Sequence, residues 1–321
     1  MSPIGIFFVT LRIMAYLMAF ILFGYLLCRF KLLRAKGQKL LSDLVVTVFI
    51  FVLVFNSFYF YFSLDRLRES IQFILLYLAG TVLMQVLGYG LGKKFGLQSG
   101  QLAFLLAGCF LINLGYIGMP VMQALPFGEM ALLFIGMGVI ATNLLLGFFL
   151  EAFIRMFTKA EGATEKRKAW KVLLSPPIMG FLCGLAVYLF RVPVPSFVHQ
   201  GLFFAGRMTA PLAMVVIGCR LSACNAKEIF GDKKLYLICL ARLLVLPLIV
   251  FMLAYQVSRD ATMLMTLAVA SACPPLAVLP IYASSYGSAG QWCTKYVFLG
   301  TMMSALTLPL IVLLVGRFLS V

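Results

Sequence analysis

Charge is scarce in this chain, and negative charge is scarcest. Its 321 residues include 10 Asp or Glu and 1 His against 26 Lys or Arg, and charged residues make up 11% beside 63% hydrophobic ones. A soluble domain is nearer about a quarter charged and about half apolar, so a water-facing surface is excluded. The mean hydropathy of +1.07 is that of a polytopic membrane protein. The chain has room for about ten spans of roughly 20 residues each. A single histidine, His199, and eight cysteines without a CxxC pair or a metal-ligand spacing leave little material for a transition-metal centre. The cysteines lie in or beside apolar runs, where the thiol behaves as a small hydrophobe. HExxH, GxSxG and a central pair of aspartates are all missing, so an intramembrane hydrolase has little support. The expectation is a protein that is not an enzyme and that uses neither metal nor cofactor.

The few acids are informative by position. Asp65, Glu69, Glu129, Glu151, Glu161, Glu165, Glu228, Asp232 and Asp260 fall in loops or at helix ends. Only Asp43 lies some way within a span, near its cytoplasmic edge. Proton- and sodium-coupled carriers often place a carboxylate at the centre of the membrane. A chain without one favours an anion site and weighs against a sodium symporter, although backbone carbonyls alone can bind sodium. The net charge of +16 would suit nucleic acid, but the basic residues cluster in short loops between apolar runs, as orientation signals do. No nucleic-acid partner is expected.

The spans fall near 4–28, 40–62, 70–92, 100–127, 129–154, 173–190, 197–221, 234–257, 261–286 and 292–317. The loops after the first, third, fifth and seventh are basic, carrying Arg29 to Lys39, Lys93 and Lys94, Arg155 to Lys171, and Arg220 to Lys234. The intervening loops hold only Arg66 and Arg68, then Arg191, then Arg259. Odd-numbered connections are therefore expected in the cytoplasm and both termini outside, in an integral protein of the plasma (inner) membrane. The first apolar run is too long for a signal-peptide core and lacks basic residues before it, so no cleavage is expected. The most polar stretch, Thr158 to Lys171, divides the chain into a first five-helix repeat (1–155), a cytoplasmic linker (156–172) and a second repeat (173–321). A half with an odd number of spans enters from the opposite side to its partner. Two such halves that share a fold are inverted repeats by parity.

Two spans are interrupted, one in each half. The fourth reads Asn113-Leu114-Gly115-Tyr116-Ile117-Gly118-Met119-Pro120, and the ninth reads Cys273-Pro274-Pro275-Leu276-Ala277-Val278-Leu279-Pro280. Lipid offers no hydrogen bonds, so freed backbone survives at that depth only inside protein or beside a wet cavity. Paired breaks point to a substrate site near the membrane midplane, which is the design of a secondary transporter. The fifth and tenth spans also match, with Gly136, Gly138, Thr142 and Asn143 in one and Gly300, Thr301, Ser304 and Thr307 in the other. Small residues of this kind also serve simply to pack helices closely.

These motifs resemble the auxin efflux carrier family, which includes bacterial organic-acid permeases and the plant PIN proteins. Asn113-x-Gly115-x-x-Gly118-x-Pro120 is similar to the family's first crossover, and Pro274-Pro275 through Pro280 to Tyr286-Gly287 to its second. Ala210-Pro211-Leu212-Ala213 with Gly218, and Thr301, Ser304, Leu308 and Pro309, resemble it at the corresponding places. The resemblance implies an all-α membrane protein of ten transmembrane helices, built as two inverted five-helix repeats with two crossing broken helices, the fourth and ninth. It implies a scaffold of helices 1, 2, 6 and 7, a moving transport unit of helices 3–5 and 8–10, elevator-like alternating access, and small organic anions as substrates. It also implies a homodimer through the scaffold. The chain departs from the pattern in three places: the second span lacks a proline, Arg207 stands where a neutral residue is expected, and the third span carries no acid.

The candidate substrate-binding residues are Asn113, Gly115, Tyr116, Asn143, Ser271, Pro274, Pro275, Tyr282 and Ser304. At about 1.5 Å per residue from Leu102, Asn113 lies roughly 16 Å deep, near the middle of an about 30 Å core. Its amide either holds a substrate carboxylate or satisfies freed backbone. Gly118, Pro120 and Pro280 are assigned to the crossover architecture, since glycine opens backbone shapes closed to other residues and proline removes a donor. Arg207 and Asp43 are the possible charge-bearing positions. Arg207 is placed roughly 15 Å into its span, where it either attracts anions or pairs across an interface, or else snorkels to the headgroups. Arg242 is placed nearer the cytoplasmic end, where snorkelling is the expected role. The function read from these residues is export or facilitated passage of small organic anions such as carboxylates or auxin-like indole acids. A sodium-coupled symporter of the bile-acid type, of similar fold, is the alternative.

Overall fold

Within a bilayer the helix satisfies every backbone group from its own chain, which is why long apolar runs adopt it. The structure, a computed structural model, describes residues 3–148, 150–158, 174–222, 231–277, 279–283 and 287–319. It is all-helical, and among the described residues the extended pairing is confined to one isolated bridge. The elements are α1 (Pro3–Arg29), α2 (Ala35–Leu44), α3 (Ile50–Tyr61), α4 (Leu67–Lys94), α5 (Ser99–Phe110), α6 (Met119–Ala124), α7 (Gly128–Phe148) and α8 (Leu150–Thr158). The second half supplies α9 (Pro176–Leu189), α10 (Ser196–Leu221), α11 (Lys233–Leu240), α12 (Leu246–Val257), α13 (Ala261–Ala272), α14 (Leu279–Ala283) and α15 (Gly287–Phe318).

Among the described residues seven helices, with α2–α3 and α11–α12 each counted as one, are long and apolar enough to cross a membrane. Three expected spans rest on shorter apolar helices, Ser99–Phe110, Pro176–Leu189 and Ala261–Ala272. Two of these are the first halves of the interrupted spans, which cannot reach across on their own. The polar linker from residue 159 onward, with Cys224, Lys227, Glu228, Val278 and Tyr286, lies outside the described residues.

Three wide π-helical turns punctuate the spans, at Val45–Phe49, Leu114–Gly118 and Ala241–Val245. The latter two precede Pro120 and Pro247. A proline cannot bond to the carbonyl four residues back, and a wider turn accommodates that loss. In the second span, where a proline was missed from the family pattern, the π turn has no such partner.

The scarce acids have local work. Asp232 caps α11 by accepting from the backbone N–H of Lys234 at 3.0 Å and Leu235 at 3.2 Å, and Asp260 caps α13 by accepting from Met263 at 2.6 Å. Arg66 and Glu129 approach to 3.5 Å at an exposed end, a pairing that contributes little.

Close helix pairs are made through glycine. A side chain at Gly218 of α10 would run into the backbone carbonyl of Ile21 in α1, and one at Gly24 into that of Val215. A Cβ at Gly184 of α9 would lie 2.6 Å from the carbonyl oxygen of Phe55 in α3. Lipid drives no hydrophobic association, so such backbone-to-backbone fits supply the packing. Large apolar side chains remain exposed along α1 and α4, among them Phe8, Phe20, Phe23, Leu75, Val82 and Val86, as on a lipid-facing surface.

Candidate functional site

The two interruptions meet. Ile112 forms an antiparallel bridge with Pro275; the Asn113 N–H donates to the Pro274 carbonyl at 2.9 Å, and the Leu276 N–H donates to the Leu111 carbonyl at 2.8 Å. Each break thus satisfies backbone groups of the other at a level where neither helix can. Pro275 loses nothing in this arrangement, since the donors come from its neighbours.

A cavity of about 380 Å³ opens beside the crossing, within the range of about 300–1,000 Å³ typical of small-molecule sites. Of the residues expected at a substrate site, Asn113, Gly115, Tyr116, Asn143 and Tyr282 line it, together with Asp43. Thr142, Ser42 and Arg220 complete the polar part of its wall, and Val46, Ile50, Leu53, Val139 and Leu146 the apolar part.

Asn113 is the most telling of these. It is 0% exposed, and neither its side-chain oxygen nor its nitrogen has a hydrogen-bond partner among the described residues. It does not cap the following helix with its side chain, so the backbone-satisfying role considered for it is not the one it plays here. Asn143 donates to the Val139 carbonyl at 2.8 Å, a bond within its own helix that leaves its side-chain oxygen toward other partners.

Four expected residues stand elsewhere. Ser271 is buried in α13 with its hydroxyl donating to the Leu267 carbonyl at 2.9 Å, and Ser304 is buried in α15 donating to the Thr301 carbonyl at 2.7 Å. Both are turned onto their own helices and do not line the cavity. Pro274 and Pro275 build the crossing rather than the wall; Pro275 packs 3.1 Å from where a Cβ on Gly108 would be and 3.2 Å from one on Gly300. Gly118 and Pro120 fall in the π turn and the first turn of α6, and Pro280 in α14.

A second, smaller cavity of about 250 Å³ lies across Leu53 and Gly115, which face both spaces. Arg207 lines it, with Gln123, Tyr16 and Pro120. The Arg207 side chain is exposed, with its guanidinium over the Phe203 ring at 5.3 Å.

Two arginines escaped the sequence reading. Arg220, assigned to a loop, ends α10 and donates to the Ala277 carbonyl at 3.2 Å and the Ser42 hydroxyl at 3.3 Å, tying the second crossover strand to α2 at the cavity wall. Arg242 corrects an expectation. It does not snorkel: it is 0% exposed and donates to the carbonyls of Ser271 at 2.9 Å and Gly108 at 3.1 Å. Its nine positions from Lys233 put it roughly 13 Å into the span, a depth the spacing already held.

Two comparisons place the chain. The family model described as membrane transport protein matches residues 9–168 and 162–312. An uncharacterized transporter from Methanothermobacter thermautotrophicus is 22% identical over 293 residues, covering 90% of this chain and 93% of the relative. The chain belongs to the membrane transport protein family, that of the auxin efflux carriers and permeases.

Proposed function

We propose that this protein is a secondary carrier of small organic anions, working by alternating access around the crossing of its two broken spans. Membership of a transporter family and a helix-rich apolar structure support the general class. The observation that carries the anion reading is the buried amide of Asn113, unpartnered among the described residues, on the wall of a cavity that Arg220 also lines. An amide and a guanidinium together suit a carboxylate, the one as donor and the other as a fixed fork of donors. Asp43 is exposed and stands where it edges the cavity. Asn113 has no accessible surface, so in this reading a solute meets it as the wall shifts during the cycle.

The ten-span, inverted-repeat organisation belongs to the same proposal. The tight glycine contacts of α1 with α10 and of α3 with α9 support a scaffold of the first, second, sixth and seventh spans. The remaining spans then form the moving unit, and the thin partition of Leu53 and Gly115 between the two cavities is the barrier that alternates. A membrane potential negative inside favours anion exit, hence export or facilitation.

The test is flux into proteoliposomes of labelled malate, malonate and indole-3-acetate, with and without sodium and proton gradients. Saturable, counterflow-competent flux of one of these acids supports the proposal. Uptake that requires a sodium gradient selects the bile-acid-type symporter instead, and unsaturable flux selects a channel.

A further inference from the structure

Among the described residues Arg242 has no acidic partner, and the ion pair found there is Arg66 with Glu129. Its two terminal nitrogens donate to a pair of helix ends, while its Nε has no hydrogen-bond partner among the described residues. Gly108 is in the last turn of α5 (Ser99–Phe110), and Ser271 is in the last turn of α13 (Ala261–Ala272). These are the two helices that stop at the crossing. Carbonyls in a last helical turn have no partner within the helix, and each helix C-terminus carries about half a negative charge. Two ends together present about one negative charge, which one guanidinium balances. The π turn at Ala241–Val245 holds Arg242 at this point, and its full burial leaves no route to headgroups or water.

In broken-helix carriers, C-terminal half-helix ends and unwound carbonyls are where a sodium ion or proton is coordinated. We infer that Arg242 is a built-in cation: its guanidinium stands in the place a small monovalent coupling ion would take, and the carrier binds no such ion there. The inference deepens the carrier proposal and rests on it for its meaning in transport, but its chemistry is testable without any substrate. It also gives the missing central carboxylate a reason. A permanently occupied cation position needs no acid to draw a cation in.

The test is thermal melting of the purified full chain in detergent, in chloride salts of sodium, potassium, choline and low-millimolar guanidinium at equal ionic strength. The wild type is expected to melt alike in all four. Arg242→Ala is expected to melt roughly 10 °C lower in choline, as removal of a buried counter-charge implies, and to recover part of that loss in sodium or guanidinium. Arg242→Lys, whose ammonium keeps the charge and has donors for both carbonyls, is expected between wild type and Arg242→Ala. A saturable sodium-specific rise in the wild type overturns the inference, as does an Arg242→Ala protein that melts with the wild type or is indifferent to the cation. If Arg242→Ala yields no folded protein, Arg242→Lys decides: a folded protein supports the inference, and one equally unfolded overturns it. Failure of these melts leaves the flux screen untouched, and failure of the flux screen leaves the melts untouched.

Discussion

Asn113 is predicted to be a residue whose loss strengthens the protein and weakens its function. Its side chain is fully buried with both polar atoms unpartnered among the described residues. Leaving a polar group buried without a bond costs about 1–3 kcal/mol, whereas an apolar replacement of similar shape removes that cost. Asn113→Leu keeps the branching and the number of side-chain heavy atoms and discards the amide, so it should raise stability by about 1–2 kcal/mol. A hydrogen bond to a charged ligand is worth about 1.5–3 kcal/mol, so the same change should raise the apparent KM for the transported anion by about 10- to 150-fold. Asn113→Ala should show the same loss of affinity with less gain in stability, because the smaller side chain leaves a void. The assay is paired: melting of the purified variant, and the concentration dependence of flux in proteoliposomes at matched protein density. An unchanged KM removes Asn113 from the site. A melting temperature below that of the wild type shows that the amide is structural, and the reasoning fails on the other side.

Arg220→Gln removes the cationic member of the cavity wall and should raise KM by about tenfold or more, with Arg220→Lys losing less; equal KM values for all three proteins in a flux titration would remove Arg220 from substrate recognition. Gly218→Val forces a side chain into the Ile21 carbonyl, which no rotamer change relieves, and should cost about 3 kcal/mol in a melting assay. Gly201→Ala, with nothing within 4 Å of the added carbon, should be neutral or gain up to about 1 kcal/mol in the same assay. Tyr77→Phe breaks the 2.8 Å bond to Thr142 that joins α4 to α7. It should cost about 1 kcal/mol, and a double-mutant cycle with Thr142→Val should recover that coupling.

What was legible in the sequence and what was not divide along a physical line. Helix positions follow from local composition, since an apolar run in lipid has one backbone solution. The two interruptions were legible because helix breakers cluster there: Gly115 and Gly118 lie within five residues of Pro120, and Pro274 adjoins Pro275, whereas a lone proline such as Pro211 stays inside its helix. That the breaks cross was implied by the family resemblance, and the bridge of Ile112 with Pro275 gives it a geometry. Which hydroxyls face the cavity was not legible. Ser271 and Ser304 have the chemistry of ligands, but a serine in a helix can bond its own backbone three or four residues back, and both do. Sequence carries the donor; only the fold shows whether it is already engaged.

The arginines make the same point in the opposite direction. Arg207, singled out for its depth, is exposed and rests on Phe203. Arg242, set aside as near an edge, is the buried one. Depth along a span does not decide the matter, because an arginine outside on a helix reaches water or headgroups along its own stem, while one facing inward must find its counter-charge in the protein. Gly108 and Ser271, whose carbonyls supply it, are residues whose side chains carry no negative charge. A search of the sequence for an acid to pair with Arg242 therefore finds nothing. The partner is a property of two helices ending at one place, and it exists only because the fourth and ninth spans break where they do. The fourth-span break that leaves Asn113 unpartnered among the described residues also leaves the Gly108 carbonyl for Arg242, and the ninth-span break leaves that of Ser271. Anion recognition and cation replacement then share the fourth-span interruption, and the second draws on the ninth as well. On this reasoning a variant that restores a continuous fourth span should lose saturable anion flux and should narrow the melting difference between the wild-type arginine and Arg242→Ala, since one of the two carbonyl ends is gone. Loss of one with the other intact would show that the two are built separately.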